Sequence, residues 1–245
     1  MVNLIFADQN LYQGKLNSEI EKQIHRLKKA KSSKDLSTIC IIPHSGILHT
    51  RAIQNWFYLA AGMNQKFIPM LVYGKDKAEV FNRVISEIIK NPTLSNFRFI
   101  LTMHENSVPP PDGLQKLYEN TNKYDVIGGL IWNAGIEKVF PLAFGCPNKI
   151  PADFIPIAVK NNKIIPCLGL SFGFTLFKTK IFKDKRIEFP WFNSENLTIE
   201  NTYNPSKSLI PNMRFFEKIK LLGYKVCCDT RVRVGNYDYT SEIVW

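Results

Sequence analysis

The sequence contains no apolar run of the roughly 18 to 20 residues that a bilayer span requires. Its first residues, MVNLIFADQN, lack the basic start and the long apolar stretch of a secretory signal. Cysteine is scarce too: the chain has five, and no C-x-x-C pair occurs. These features argue against a membrane span, a disulfide framework and a zinc site. We therefore expect a cytoplasmic protein with reduced thiols.

Two common catalytic loops are missing as well, because the chain has no glycine-rich phosphate loop and no G-x-S-x-G element. Acidic residues are few: 21 Asp and Glu stand against 32 Lys and Arg, and the formal net charge is +11. Such a charge favours acidic partners in general. Since the basic residues are dispersed and no recognition motif accompanies them, nucleic acid is not the partner we expect.

The chain is long enough for one large α/β domain, with 245 residues of which 45% are hydrophobic. Apolar, strand-like segments alternate with amphipathic, helix-like ones. In order these segments are STICIIP, TRAIQNWFYLAAGM, KFIPMLVYG, KDKAEVFNRVISEIIKN, FRFILTM, PPPDGLQKLYEN and YDVIGGLIW. The alternation predicts a mostly parallel sheet flanked by helices, forming a single domain over residues 37–245.

Residues 1–36 are predicted to be a helical extension before this domain. Its apolar residues recur at helical spacing, at Leu16, Ile20, Ile24 and Leu27. The pattern predicts an amphipathic helix. This helix either packs on the domain or docks a protein partner in an assembly.

Polar residues follow the predicted strands where ligands of open parallel sheets bind, at the carboxyl ends. The stretch LTMHENSVPPPDGL shows this best, since a strand, a polar cluster and a proline-opened helix follow one another. The candidates at the strand ends are Pro43, His44, His104, Glu105, Asn106 and Trp132. Trp132 either faces a ligand or belongs to the core, and Gly129 either lets a ligand approach the backbone or marks a bulge.

The order of these segments resembles the GT-A fold glycosyltransferases, in particular the family-2-like enzymes of bacteria and phages. Four stretches carry the resemblance: FRFILTMHENSVPPPDGLQKL, YDVIGGLIW, CLGLSFGFTLFKTKIFKD with the later PWF, and MRFFEKIKLLGYKVCCDTRVRVGNYD. It implies a nucleotide-sugar donor, usually bound with Mn²⁺ or Mg²⁺, and inverting sugar transfer to a hydroxyl acceptor. It also implies a nucleotide site near Pro43 and His44, and an acceptor side near Gly169 and Trp191, although a loop tryptophan also serves as a packing anchor.

Three positions depart from the family pattern in the same way. The metal-binding aspartate corresponds to Asn106, the general-base aspartate to Asn212, and the late metal-binding histidine to Asn236. An amide carries no charge and is not a useful base. Hard divalent cations prefer charged oxygen ligands. We therefore expect no metal cofactor by the usual route.

Two interpretations follow. In one, the protein transfers sugar with a rearranged site: Mn²⁺ or Mg²⁺ binds only if Glu105 or His104 substitutes as a ligand, or else Lys or Arg neutralises the diphosphate without a metal. The base would then be Glu217, five residues after Asn212. In the other, the domain is catalytically inactive and serves as a structural or binding subunit. Candidate cations for the metal-free route are Lys207, Arg214 and Arg231.

Overall fold

The computed structural model describes residues 35–61, 66–134, 139–147, 155–193, 213–238 and 244. The predicted helix of the N-terminal extension and Asn212 lie outside these residues. So does Lys207.

The described ranges contain four α-helices and eleven strands. The helices are α1 (Thr50–Ala61), α2 (Lys77–Lys90), α3 (Gly113–Glu119) and α4 (Met213–Leu221). The strands are β1 (Thr38–His44), β2 (Phe67–Tyr73), β3 (Phe99–Met103), β4 (Ser107–Val108), β5 (Val126–Ala134), β6 (Val139–Pro141), β7 (Ala143–Phe144), β8 (Ile164–Cys167), β9 (Gly169–Leu170), β10 (Phe174–Lys178) and β11 (Val226–Asn236). None of these helices is long and apolar enough to span a bilayer.

The main sheet has the strand order β2-β1-β3-β10-β5-β11-β4, with β6 paired to β5 and β8 paired to β11. Strands β1, β2, β3, β5 and β11 run in one direction, because β10 is antiparallel to both of its neighbours, β3 and β5. The prediction of a mostly parallel central sheet flanked by helices is thereby confirmed. The sequence pattern did not predict that β10 is the reversed strand. It is buried on both faces, and a short apolar run does not reveal its direction.

Helices cover both faces of the sheet and create two cores. The helices α2 and α4 bury Phe81, Ile85 and Phe216 against one face, and α1 and α3 bury Trp56 and Leu117 against the other. Burying a large apolar side chain contributes roughly 1.5–3 kcal/mol. The core therefore lies in two layers, and polar residues are left for the ends of the strands.

Local signals in the sequence set the ends of α2. The side chain of Asp76 accepts hydrogen bonds from the backbone N–H groups of Ala78 (2.9 Å) and Glu79 (3.1 Å), which caps the helix. The helix ends at Lys90, and its C-cap Asn91 stands directly before Pro92, as the sequence predicts. Since α2 connects β2 to β3, its capped end lies at the carboxyl edge of the sheet.

The last strand, β11, is interrupted and then continues. It pairs with β5 from Val226 to Asp229, and pairing resumes only at Arg233. Beyond this irregularity, Asn236 pairs with Ser107 of β4. The strand therefore runs past the main sheet and reaches the segment that follows β3.

The strand β5 is longer than predicted. Sequence reasoning placed its carboxyl end at Trp132, whereas β5 continues to Ala134 and pairs Trp132 with Pro141 of β6. Trp132 is partly buried against the core on the α2 side. The strand therefore ends two residues later than predicted, because β6 folds back and extends the ladder beyond the last residue paired with β11, Ile131.

Candidate functional site

The crevice between the carboxyl ends of β1 and β3 is the place where the fold favours a ligand. The chain leaves β1 towards β2 on one side and leaves β3 towards β5 on the other. In open α/β sheets, ligands bind at such a change of direction, outside the carboxyl ends of the strands.

Glu105 crosses this crevice. Its Oε2 atom accepts hydrogen bonds from the backbone N–H of Ser45 (2.8 Å) and from the Ser45 hydroxyl (3.2 Å). Its Oε1 atom lies 3.6 Å from Nζ of Lys77. Glu105 is buried although it follows a strand end. One carboxylate therefore ties together the segments after β1 and β3 and the first turn of α2.

Sequence reasoning did not identify Lys77. It is the first residue of α2, and a cation there opposes the helix dipole. The acidic cap Asp76 and the carboxylate of Glu105 compensate for this. The sequence did contain a sign of this role, because a lysine is unfavourable at the first position of a helix and this one follows a strand end.

His104 is held in a neutral state. Burial, and next the charge of Lys77, lower the pKa of its imidazole to about 3. Its backbone N–H donates to the carbonyl of Gly173 (3.2 Å), which also accepts from the Ser107 hydroxyl (2.8 Å). His104 is therefore unsuited to be a general acid near neutral pH.

Two of the three asparagines singled out by the resemblance in sequence lie at this edge. Asn236 is paired with Ser107, and the next residue, Tyr237, donates its backbone N–H to the carbonyl of Asn106 (2.8 Å). The backbone of β11 thus closes on the segment that carries Asn106. The third position, Asn212, lies outside the described residues, so its place stays a prediction.

Aromatic side chains pack around the place where β11 meets the segment after β3. The buried ring of Tyr237 stacks on His49 with centroids 3.9 Å apart, and their Oη and Nε2 atoms are 2.9 Å apart. On the other side, Nε1 of Trp56 donates to the carbonyl of Ser107 (2.9 Å). The carboxyl edge is therefore a packed platform on which Glu105 and Asn106 are fixed.

Pro43 and His44 lie beside the crevice. Both belong to β1, and Pro43 is buried within it. Nδ1 of His44 accepts from the backbone N–H of Gly46 (3.2 Å), and its ring is 6.0 Å from that of Tyr73. His44 is half-buried and directly precedes Ser45, and its predicted contact with a nucleotide stays a prediction.

Gly129 lies in the interior of β5, where neighbouring side chains fill the space of its missing Cβ. A Cβ atom there would lie 2.7 Å from Val234 Cγ2 and 3.0 Å from Val232 Cγ1. Glycine is therefore required by the packing of β11 on β5. The structure gives no support for the predicted contact of Gly129 with a nucleotide-sugar donor.

Gly169 and Trp191, predicted on the acceptor side, are not brought to the crevice. Gly169 is buried in a small separate sheet, where it pairs with Phe144. Trp191 packs on Phe182 and Phe189, with ring centroids 5.2 and 5.3 Å apart. Its indole N–H is buried without a hydrogen-bond partner among the described residues.

A cleft of about 480 Å³ lies beside Trp191, between α2 and the segment 189–193. Asn82 ties the two together, because its amide donates to the carbonyl of Phe192 (2.7 Å) and accepts from the Phe192 N–H (3.0 Å). The cleft contains residues of both charges from α2, among them Glu79 and Arg83. No converging set of catalytic groups distinguishes it in the described ranges.

The remaining candidates lie on helices or are already paired. Glu217 is exposed on α4, whose buried face is formed by Phe215 and Phe216, so its side chain points away from the core. Arg231 is bound to Asp229 (2.6 Å) and to Glu119 (2.7 Å). Arg214 is exposed on α4.

The side chains at the carboxyl edge do not fit a divalent metal ion. Within the described ranges, no three His, Cys, Asp or Glu side chains are grouped so that they could hold one. The carboxylate of Glu105 is already bound by Ser45, and the ammonium group of Lys77 beside it would repel a cation. What the edge offers is a backbone N–H, a hydroxyl and an ammonium group, which are partners for an anion.

Comparisons with known proteins identify the fold alone. No family model and no curated protein matches the sequence. Among solved structures 23 chains match. One is the crystal structure of A197 from STIV, with a TM-score of 0.58 and 13% sequence identity, covering 85% of this chain and 92% of that chain. The chain therefore has a mixed α/β fold with a mostly parallel central sheet flanked by helices, similar to that of A197.

Proposed function

We propose that this protein is a glycosyltransferase-like domain with a GT-A fold, which binds a nucleotide sugar in the crevice between β1 and β3. The contact of Glu105 with Ser45 and Lys77 across this crevice carries the proposal. This contact places the backbone N–H and hydroxyl of Ser45 and the ammonium group of Lys77, all partners for an anion, at the edge where the fold favours a ligand. The resemblance of the motif order to family-2-like glycosyltransferases supplies the class of ligand.

The donors at this edge match the chemistry of a diphosphate. In the free protein the carboxylate of Glu105 occupies the N–H and hydroxyl of Ser45. An entering diphosphate takes these donors and the ammonium group of Lys77 as its partners, and Glu105 is displaced. Lys77 then offsets part of the negative charge without a metal ion.

The family activity is inverting transfer of the sugar to a hydroxyl acceptor, and this is the reaction we propose. A specific observation favours a second candidate, a catalytically inactive binding subunit. Asn106 and Asn236, at two family metal positions, come together at one edge, and both are amides. In addition, Glu217 is exposed on α4 and does not supply an evident base.

Titration calorimetry of the full chain with UDP- and GDP-sugars tests the binding proposal, with Mn²⁺ in one arm and EDTA in the other. We expect the same dissociation constant in both arms. Lys77→Ala should weaken binding about tenfold, because a paired charge contributes on the order of 1–2 kcal/mol. The exposed neighbour Lys75 provides the matched control, Lys75→Ala.

The outcomes separate the alternatives. If none of these nucleotide sugars binds in either arm, the binding proposal is wrong. If binding requires Mn²⁺, the metal-free route is wrong. If the donor binds but neither hydrolysis nor transfer to an acceptor is detected, the inactive subunit is the better description.

A further inference from the structure

The amino edge of the sheet, opposite the crevice, collects positive charge. The strands β1, β2, β3, β5 and β11 begin at this edge, and β10 ends there, because its last residue, Lys178, pairs with Phe99 at the start of β3. We use the name basic rim for six cations before, at or after these strand ends. They are Lys66, Arg98, Lys178, Lys180, Lys183 and Lys225.

Hydrogen bonds join parts of the basic rim into one surface. The ammonium groups of Lys178 and Lys180 each lie 3.0 Å from Oδ1 of Asp125, and the backbone N–H of Lys225 donates to Oδ2 of Asp125 (3.1 Å). The ammonium group of Lys183 donates to the carbonyl of Ser95, in the turn before β3. The rim is therefore held together by folded backbone and is not a set of unrelated lysines.

The cations of the basic rim outnumber the carboxylates beside them. Asp125 and Asp35 lie at the same edge, and Glu188 is exposed directly before Phe189, so six positive groups face three negative ones. The nearby Asp184 is bound to Arg186 (2.6 Å), and that pair adds no net charge. A clear positive excess remains at this edge, where the surface potential attracts anions.

Two large apolar side chains are exposed next to the basic rim. Leu221, the last residue of α4, is 83% exposed, and Phe189 is 60% exposed. Leu221 lies three residues before Tyr224, whose ring is 5.5 Å from the ammonium group of Lys180. Phe189 follows Lys183 by six residues and lines a cleft along α2, at one end of which Lys90 is paired with Glu87 (3.6 Å).

We propose that the basic rim, with Phe189 and Leu221, docks this protein onto an anionic lipid surface. Lysine side chains attract the phosphates and carboxylates of anionic headgroups, and exposed aromatic and leucine side chains enter the boundary between headgroups and acyl chains. A nucleic acid would use the cations but leave an exposed leucine without a partner. The combination of charge and apolar side chains therefore favours the lipid surface.

The proposal does not depend on the nucleotide site. The basic rim lies at the opposite edge of the sheet from Ser45 and Glu105, so a protein docked by the rim keeps its crevice directed away from the lipid. Failure of nucleotide binding would leave lipid binding untouched, and the reverse also holds.

Co-sedimentation of the full chain with vesicles tests the proposal. One arm uses phosphatidylcholine alone, and the other uses phosphatidylcholine with phosphatidylserine, at low and at high salt. We expect binding to the anionic vesicles that weakens as salt rises, and at least about tenfold weaker binding to neutral ones. A duplex DNA at the same salt provides the comparison with nucleic acid.

Variants locate the surface. Lys180→Glu with Lys183→Glu should weaken binding more than about tenfold, and Leu221→Ser should weaken it several-fold while the salt dependence remains. The matched control is Arg51→Glu with Lys75→Glu, which makes the same change in charge among exposed residues of the opposite edge. Circular dichroism establishes that each variant is folded.

Three results would overturn the proposal. The unaltered chain could bind neutral and anionic vesicles alike, or neither, which requires no variant to interpret. The two double variants could lose affinity equally, which would mean that net charge and not the rim is responsible. Tighter binding to duplex DNA than to anionic vesicles would make this edge a nucleic-acid surface.

Discussion

In the proposed nucleotide site, Glu105 is the residue expected to weaken binding of an anion. Its carboxylate occupies the donors of Ser45 and lies beside Lys77, so it competes with any entering diphosphate. In Glu105→Gln the amide oxygen still accepts from Ser45, but the negative charge is gone. We expect the dissociation constant for UDP or GDP to fall about three- to tenfold, because repulsion of this kind contributes on the order of 1 kcal/mol.

Calorimetry checks this prediction, with Glu188→Gln as control. Glu188 is exposed and lies beyond β10, away from the crevice. Weaker binding by Glu105→Gln than by the unaltered chain would instead mean that Glu105 contacts the ligand or a metal ion directly.

His104 should make the stability of the protein sensitive to acid. Its pKa is lowered from 6.5 to about 3 by burial and by Lys77. Below pH 6.5 the unfolded chain binds a proton that the folded chain does not, so the free energy of unfolding falls as the pH falls towards 3, by up to about 1.4 kcal/mol per pH unit. Above pH 6.5 His104 is neutral in both the folded and the unfolded chain, so it no longer makes the free energy of unfolding depend on pH.

Urea unfolding at several pH values between 7.5 and 4 measures the effect. His104→Asn should show a flatter pH dependence than the unaltered chain. Parallel curves for His104→Asn and the unaltered chain would contradict the assignment.

Some single residues of the site could be predicted from the sequence. Glu105 and Asn106 were identified because a polar cluster follows a buried strand, and this requires only local information. Lys77 was missed because its role depends on a contact with Glu105, 28 positions later. The contact between Tyr237 and Asn106 likewise depends on the path of β11, which no local pattern contains.

At the scale of elements, an ionic network shapes β11 between its two paired parts. The fully buried carboxylate of Asp229 accepts from Arg231 through the backbone N–H (3.1 Å), Nε (2.9 Å) and Nη2 (2.6 Å) and from Asn120 (3.1 Å). Arg231 also contacts Glu119 (2.7 Å). These bonds lie where pairing with β5 is interrupted, so they set the path of the strand towards Asn236.

Asp229→Ala should lower the free energy of unfolding by about 3–5 kcal/mol, because it leaves the partly buried Arg231 without its main partner. Arg233→Ala, on the same strand, removes one exposed hydrogen bond to Asn161 (3.0 Å) and should cost less than about 1 kcal/mol. Chemical denaturation gives both values. If the two variants lose similar amounts of unfolding free energy, the ionic network stabilises the fold no more than a single exposed hydrogen bond does.

The helices were predictable and the order of the strands was not. The bounds of α2 follow from Asp76 and Pro92, and its buried face follows from helical spacing. By contrast, β10 consists of a short apolar run whose position between β3 and β5 depends on pairing over long distances in the chain. Local propensity contains no information about such pairing.

At the scale of the whole molecule, the two proposed surfaces lie at opposite edges of one sheet. If the protein is docked by Phe189 and Leu221, the crevice remains open to solvent. We therefore expect the dissociation constant for a nucleoside diphosphate to change less than about twofold when anionic vesicles are added, since distant sites that share no partners usually act additively. Equilibrium dialysis with and without vesicles measures this. A change of tenfold or more would show that the two edges communicate.

The position of β10 has a consequence for the order in which the protein is made. During synthesis, β3 and β5 leave the ribosome well before Phe174–Lys178, the strand that must lie between them. Until then both strands have an unpaired edge, and unpaired edges of apolar strands invite association with other chains. A nascent chain that stalls before residue 174 is therefore at risk of aggregation. Release of β10 covers the edges of β3 and β5 that face each other, whereas the other edge of β5 stays open until β11 is made. The same event supplies Gly173, whose carbonyl anchors His104 and Ser107, so the crevice is completed only late in synthesis.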